Sequence, residues 1–72
     1  MKAAIFVMSD PKGGDEALGR VFNGLAAAYE YKQAGDEVTV TFQGAGTRWV
    51  AELSRAEHPL NSLFNAVLDT IA

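Results

Sequence analysis

At 72 residues, 49% of them hydrophobic and 21% charged, the chain is one domain at most and too apolar for a disordered tail. It contains no cysteine, which removes disulfides and thiolate zinc sites, and leaves self-association or further polypeptide as the ways to reinforce a domain that buries only about 60% of its unfolded surface. A net charge of −3 with six basic residues scattered along the chain offers no stripe to neutralise a phosphate backbone, so nucleic acid is not an expected partner.

Residues 3–8 form a continuous apolar run ended by Ser9, Asp10 and Pro11, which predicts a strand buried on both faces. The same punctuation stops the run too early for a signal-peptide core or a membrane span. A cytoplasmic location without a membrane partner is therefore expected. Residues 9–14 read as a turn, and Asp15 and Glu16 place negative charge where a helix N-terminus favours it, so a helix should begin at Gly14 or Asp15. Leu18, Val21, Phe22, Leu25 and Tyr29 recur at helical spacing, and Ala17, Ala26 and Ala28 are small enough to let that helix approach a sheet. Gly35 supplies the stop.

After Asp36 and Glu37, residues 38–42 alternate apolar side chains with threonine and are rich in β-branched residues, which predicts a second strand. Trp49, Val50 and Leu53 suggest a short helix interrupted near His58 and Pro59. Leu60, Leu63, Phe64, Val67, Leu68 and Ile71 then step by three and four, predicting a helix that runs uncapped to the final turn.

A strand, helix and strand in this order predict a parallel pair with a right-handed crossover, hence an α/β fold. Two parallel strands cannot cover their own faces and edges, so residues 1–72 are expected to form a single but incomplete domain: a β-α-β unit plus two helical segments. The apolar stripes on the first and last helices exceed what two strands can cover, which points to a homo-oligomer.

The crossover brings residues 9–14 and 43–48 side by side at the carboxyl edge of the sheet, where open α/β folds bind ligands. In Gly44, Ala45, Gly46, Thr47 and Arg48, two glycines one residue apart allow backbone amides to converge on an anion, a helix starting at Thr47 adds its positive end, and Arg48 can clamp a carboxylate or phosphate. The same residues also read as a tight strand-to-helix turn with Thr47 as N-cap. In Ser9, Asp10, Pro11, Lys12, Gly13 and Gly14, the ligand contacts would be Lys12 and the two glycine amides. This stretch equally reads as a proline-glycine turn with Lys12 in water.

Neither loop meets the Walker or dinucleotide pattern, so no cofactor is expected, and no metal cluster is evident. His58 is the sole imidazole; Glu52, Glu57 and Asp69 are its conceivable partners, Asp10 and Glu52 are conceivable acid-base groups, and no spacing couples any of them. Catalytic residues are unassigned. Trp49 suits core packing or an aromatic wall over a ligand.

The opening Lys2-Ala3-Ala4-Ile5-Phe6-Val7-Met8-Ser9-Asp10-Pro11, the segment Gln33-Ala34-Gly35-Asp36-Glu37-Val38, and above all Phe42-Gln43-Gly44-Ala45-Gly46-Thr47-Arg48-Trp49 with His58-Pro59-Leu60 resemble the N-terminal part of a DsrE-like protein. The resemblance implies a three-layer, mostly parallel α/β domain of flavodoxin-like or Rossmann-like kind, symmetric oligomers, and sulfur relay between cysteines with a sulfur-carrier protein as partner. Since the attacking group in such exchange is a thiolate, the reactive cysteine would lie outside these 72 positions. Two functions are thus expected: sulfur relay or thiol handling, or a non-catalytic oligomeric module that binds a small anion or metabolite at the strand-end loops.

Overall fold

The computed structural model describes residues 2–72. Strand β1 spans Lys2–Val7, a 3-10 turn spans Pro11–Gly13, helix α1 spans Gly14–Gln33 and strand β2 spans Glu37–Phe42. A second 3-10 segment, Gly44–Arg48, leads into α2 at Trp49–Leu53; α3 covers Asn61–Ala66 and a final 3-10 turn covers Leu68–Thr70. β1 and β2 pair in parallel, with Lys2 opposite Glu37 and Val7 opposite Phe42. The fold is therefore a small α/β domain, a β-α-β unit followed by short helices, as the order of elements predicts.

The pleat sorts the strand residues. Ala3, Ile5 and Val7 share a face with Val38, Val40 and Phe42, and that face carries the core, in which Val40 is fully buried and Val7 nearly so. The helices cover only this side, through Ala17, Val21, Leu25 and Ala28 of α1, Trp49 and Leu53 of α2, and Phe64 with Val67 at α3. On the opposite face Phe6 is 57% exposed, as are Ala4 and Thr39 in large part.

α1 is held at both ends as its residues suggest. Asp15 and Glu16 occupy its first turn, and the helix closes in a Schellman arrangement, with Asp36 N–H donating to Tyr31 O, Gly35 N–H donating to Lys32 O, and Gly35 at φ 81. Its buried stripe differs from the expected one. Alanines 17 and 28 face the sheet with Val21 and Leu25, whereas Phe22 and Tyr29 sit on the flanks, exposed. Small residues win the inner positions because they let helix and sheet approach closely.

The expected terminal helix is corrected more sharply. α3 stops at Ala66, Val67 leaves helical geometry at φ −114, and Ile71 forms a parallel bridge to Val40 while Ala72 N–H donates to Val40 O at 3.0 Å. Ile71 thus sits beside β2 in extended geometry, joined to it by a single bridge. Lys32 Nζ, reaching from α1, donates to Ala66 O at 2.9 Å and supplies the cap that the local sequence lacks. Among the described residues no helix is long and apolar enough to cross a membrane.

Candidate functional site

The loops after β1 and β2 lie together, and each is built by its own side chains. Asp10 caps the first 3-10 turn by accepting the Lys12 N–H on Oδ1 at 3.0 Å, and Gly14 turns the chain into α1 at φ 72. In the second loop Gln43 remains extended and donates its N–H to Val7 O at 3.0 Å, Gly44 takes φ 55, and Thr47 Oγ1 donates to Gly44 O at 2.8 Å. The helical path therefore begins as a 3-10 turn at Gly44, with Gln43 at the cap position. It does not begin at Thr47, whose hydroxyl is spent inside the turn.

Two contacts lock the loops to each other. Arg48 donates to Asp10 Oδ2 at 2.8 Å, and the buried Trp49 indole donates from Nε1 to Ser9 O at 2.9 Å. Gly46 lies between them, pressed on the strand end: a Cβ there would meet Val7 O at 2.0 Å. Its N–H donates to Gln43 O at 2.8 Å and so does not point at a ligand. The second loop consequently acts as a rigid brace, with the Arg48 guanidinium engaged by Asp10 and Ala45 half-buried in the turn.

The open space lies one step to the side. A cleft of about 310 Å³ is bounded by Pro11, Lys12, Gly14, Asp15 and Leu18 on the α1 side, and by Trp49, Glu52 and His58 on the other. Of the residues expected to contact a ligand, Lys12 and Gly14 line this cleft. Ser9, Asp10 and Gly13 border a second depression of about 360 Å³ with Glu16, Ala17 and Arg20, where Arg20 is already paired to Glu16 at 2.7 Å. Residues of Gly44–Arg48 line neither.

Of the cleft residues that the sequence left uncoupled, His58 packs against Trp49. Its ring meets the His58 ring edge-on, with centroids 6.4 Å apart and planes at 90°. His58 Nδ1 accepts the Leu60 N–H at 3.0 Å, so the neutral imidazole carries its proton on Nε2 and can offer it as a donor. None of the suggested carboxylate partners reaches it: Glu57 and Glu52 pair with Arg55, and Asp69 with Lys32. Glu57 is held below the ordinary carboxylate range by its own backbone amide and by Arg55, and Asp69 by the Lys32 hydrogen bond.

The cleft wall thus offers one ammonium, two carboxylates and an imidazole beside the N-terminus of α1, whose cap residue Gly13 has no side chain to bond its amides. Among the described residues no three or more of His, Asp or Glu come together as a metal site.

Compared with known proteins, the chain is 32% identical over 69 residues to the uncharacterized protein MJ0733 of Methanocaldococcus jannaschii. The aligned stretch takes in 96% of this chain and spans 57% of the archaeal protein's length. No family model matches the chain, and no solved structure does.

Proposed function

We propose that the chain is a non-catalytic binding module whose ligand is a small polar metabolite held in the cleft between the α1 N-terminus and the Trp49–His58 pair. The observation that carries this reading is the cleft itself: a space of about 310 Å³ at the carboxyl edge of a parallel sheet, on loops cross-braced by Arg48–Asp10 and Trp49–Ser9. The anionic part of the ligand meets Lys12 and the α1 amides, while Asp15 and Glu52 accept from its hydrogen-bond donors. A ligand with both features fits the wall better than a bare anion, because two carboxylates face one ammonium.

The sheet around this site is proposed to belong to a three-layer α/β body of flavodoxin-like or Rossmann-like kind. What supports that is the bare face bearing Phe6, since parallel sheets are covered on both sides. Homo-oligomers are proposed with it.

Calorimetric titration with inorganic phosphate, nucleotides, amino acids and small dicarboxylates tests the binding reading. One class should bind, Lys12→Ala should weaken it roughly tenfold, and Arg48→Ala should change it far less, because Arg48 braces the loop and does not line the cleft. Absence of heat with every class, together with unmoved amide resonances at Lys12, Asp15 and His58, would sink it.

A DsrE-like sulfur-relay role is the second reading, favoured by the placement of the Gly44–Arg48 turn and Trp49 at the strand ends. With no cysteine among these 72 residues, such a role requires a thiolate outside them. Titration with a persulfide-loaded carrier protein tests it, and no binding removes it.

A further inference from the structure

The chain between α2 and α3 turns a corner on few main-chain bonds. His58 N–H donates to Arg55 O at 3.0 Å and Asn61 N–H donates to His58 O at 3.0 Å, while Pro59 between them has no N–H to give. The Leu60 N–H is taken by a side chain, His58 Nδ1 at 3.0 Å, in a part-buried position where Leu60 packs on the core. Two contacts thereby fix the imidazole: the Leu60 amide at one nitrogen, and the Trp49 ring edge-on with 6.4 Å between centroids. The same ring forms part of the cleft wall that faces Lys12 and Asp15.

The bond to Leu60 exists in one charge state only. A neutral imidazole has one bare nitrogen that accepts, whereas in the protonated ring both nitrogens carry hydrogen and donate. Protonation therefore sets an N–H against the Leu60 N–H, and the acceptor that holds the corner is gone. An asparagine would close the same turn through its side-chain carbonyl, with no such dependence on charge. Histidine is the side chain whose charge ordinarily changes between about pH 5 and about pH 8.

The charges around the ring decide where it goes once released. The α1 side brings Lys12 and Asp15 to the cleft, α2 brings Glu52, and the connecting chain brings Arg55 and Glu57, whereas α3 carries no ionisable residue. Arg55 is drawn to Glu57 at 2.8 Å and reaches Glu52 only at 3.8 Å. Glu52 and Asp15 are thus the carboxylates left to receive a cation on the cleft side.

We propose that His58 is a proton-operated latch on this wall of the cleft. Neutral, it holds the Leu60 amide and stands against Trp49. Protonated, it releases Leu60, leaves the Trp49 ring and turns into the cleft toward Glu52 and Asp15, so that the corner at Pro59 loosens and the cleft narrows. The latch belongs to the chain itself and does not depend on what the cleft binds, so it stands or falls apart from the binding reading.

Nuclear magnetic resonance of the full chain without added ligand, from about pH 8 to about pH 5, tests it. At the upper end the ring-nitrogen shifts should place the proton on Nε2, with Nδ1 accepting, and the His58 and Trp49 rings should show mutual contacts. As the ring takes up its second proton, the Leu60 amide should shift with the same midpoint and the ring contacts should fade. Its protection against exchange should fall roughly tenfold, the worth of about one hydrogen bond. His58→Asn keeps an acceptor for the amide two residues on and does not titrate, so Leu60 should stay protected at both ends of the range. His58→Phe keeps a ring beside Trp49 and removes the acceptor, so Leu60 should be exposed to exchange at both. The wild-type midpoints need neither variant to fold. A proton on Nδ1 in the neutral ring, a Leu60 amide indifferent to the titration of His58, or a His58→Asn protein with the wild-type pH dependence overturns the proposal. So does a ring that stays neutral throughout the range.

Discussion

Gly46→Ala separates a brace from an anion nest. In a nest the glycine is chosen for its amide, and alanine keeps the amide; in a brace it is chosen for the absence of Cβ. The built Cβ falls 2.0 Å from Val7 O, 2.8 Å from Val7 C and 3.1 Å from Met8 Cα, and all three are main-chain atoms that no rotamer change can move. An ordinary carbon–oxygen contact is about 3.3 Å, so the loop must lift by about 1.3 Å. That movement breaks the Gln43 N–H to Val7 O bond and draws Trp49 away from Ser9. Overpacking strain and one or two lost hydrogen bonds together amount to about 3–5 kcal/mol.

A chain of this size has only about 4–11 kcal/mol to lose, so the variant should be severely destabilised or unfolded. Gly44→Ala is the control. It meets nothing within 4 Å, and its sole penalty is φ 55, which costs about 1–2 kcal/mol. Urea unfolding followed by Trp49 fluorescence and far-UV circular dichroism measures both. Equal losses in the two variants, or a Gly46→Ala protein within about 1 kcal/mol of wild type, would refute the close-approach argument.

Three further substitutions test the rest of the frame. Trp49→Phe shrinks a buried side chain and deletes the indole donor to Ser9 O, so it should cost about 2–4 kcal/mol and speed amide exchange in residues 9–14, while unchanged exchange there would mean the two loops are not coupled. Leu25→Ala, at a fully buried position of α1, should cost about 2–5 kcal/mol by equilibrium unfolding. Lys32→Met removes the donor to Asp69 and to Ala66 O. Lys32 lowers the folded-state pKa of Asp69, so the stabilisation is present above the unfolded value and is lost as pH falls through the folded one. The variant should have a lower Tm at neutral pH and a shallower acid dependence, and parallel curves for the two proteins would contradict the assignment.

Much of the frame was legible because its signals are local. The residues of β1 and β2 differ from those of α1 in period, and Gly35 marks a stop whose Schellman bonds need no distant partner. The strand-end loops were legible as a pair for the same reason, since a parallel crossover leaves no other arrangement. What those loops do was not legible. Arg48 reads as a free clamp until Asp10, 38 positions away, is seen to hold it, and Gly46 reads as an amide donor until Val7 is seen above it. The cleft escaped for a related reason: Lys12, Glu52 and His58 share no spacing, and although Trp49 suits an aromatic wall, its edge-on contact with His58 joins residues that no local pattern couples.

The end of the chain shows how a helical period can mislead, and it yields the sharpest contrast in the molecule. Leu68 and Ile71 are three residues apart and belong to one stripe if the helix continues, so both should be buried and both should matter. In the structure the chain leaves helical geometry at Val67, where Thr70 Oγ1 donates to Val67 O at 2.6 Å and helps turn it, and the two residues part company. Leu68 points outward at 53% exposure, while Ile71 packs on the core and bridges to Val40. The β-branched side chain takes the strand position, and the γ-branched one is left in solvent. Ile71→Ala should therefore cost about 1–2 kcal/mol, whereas Leu68→Ala should change stability by less than about 0.5 kcal/mol. Equal costs, or a larger cost at Leu68, would restore the continuous helix and take the strand pairing at β2 with it.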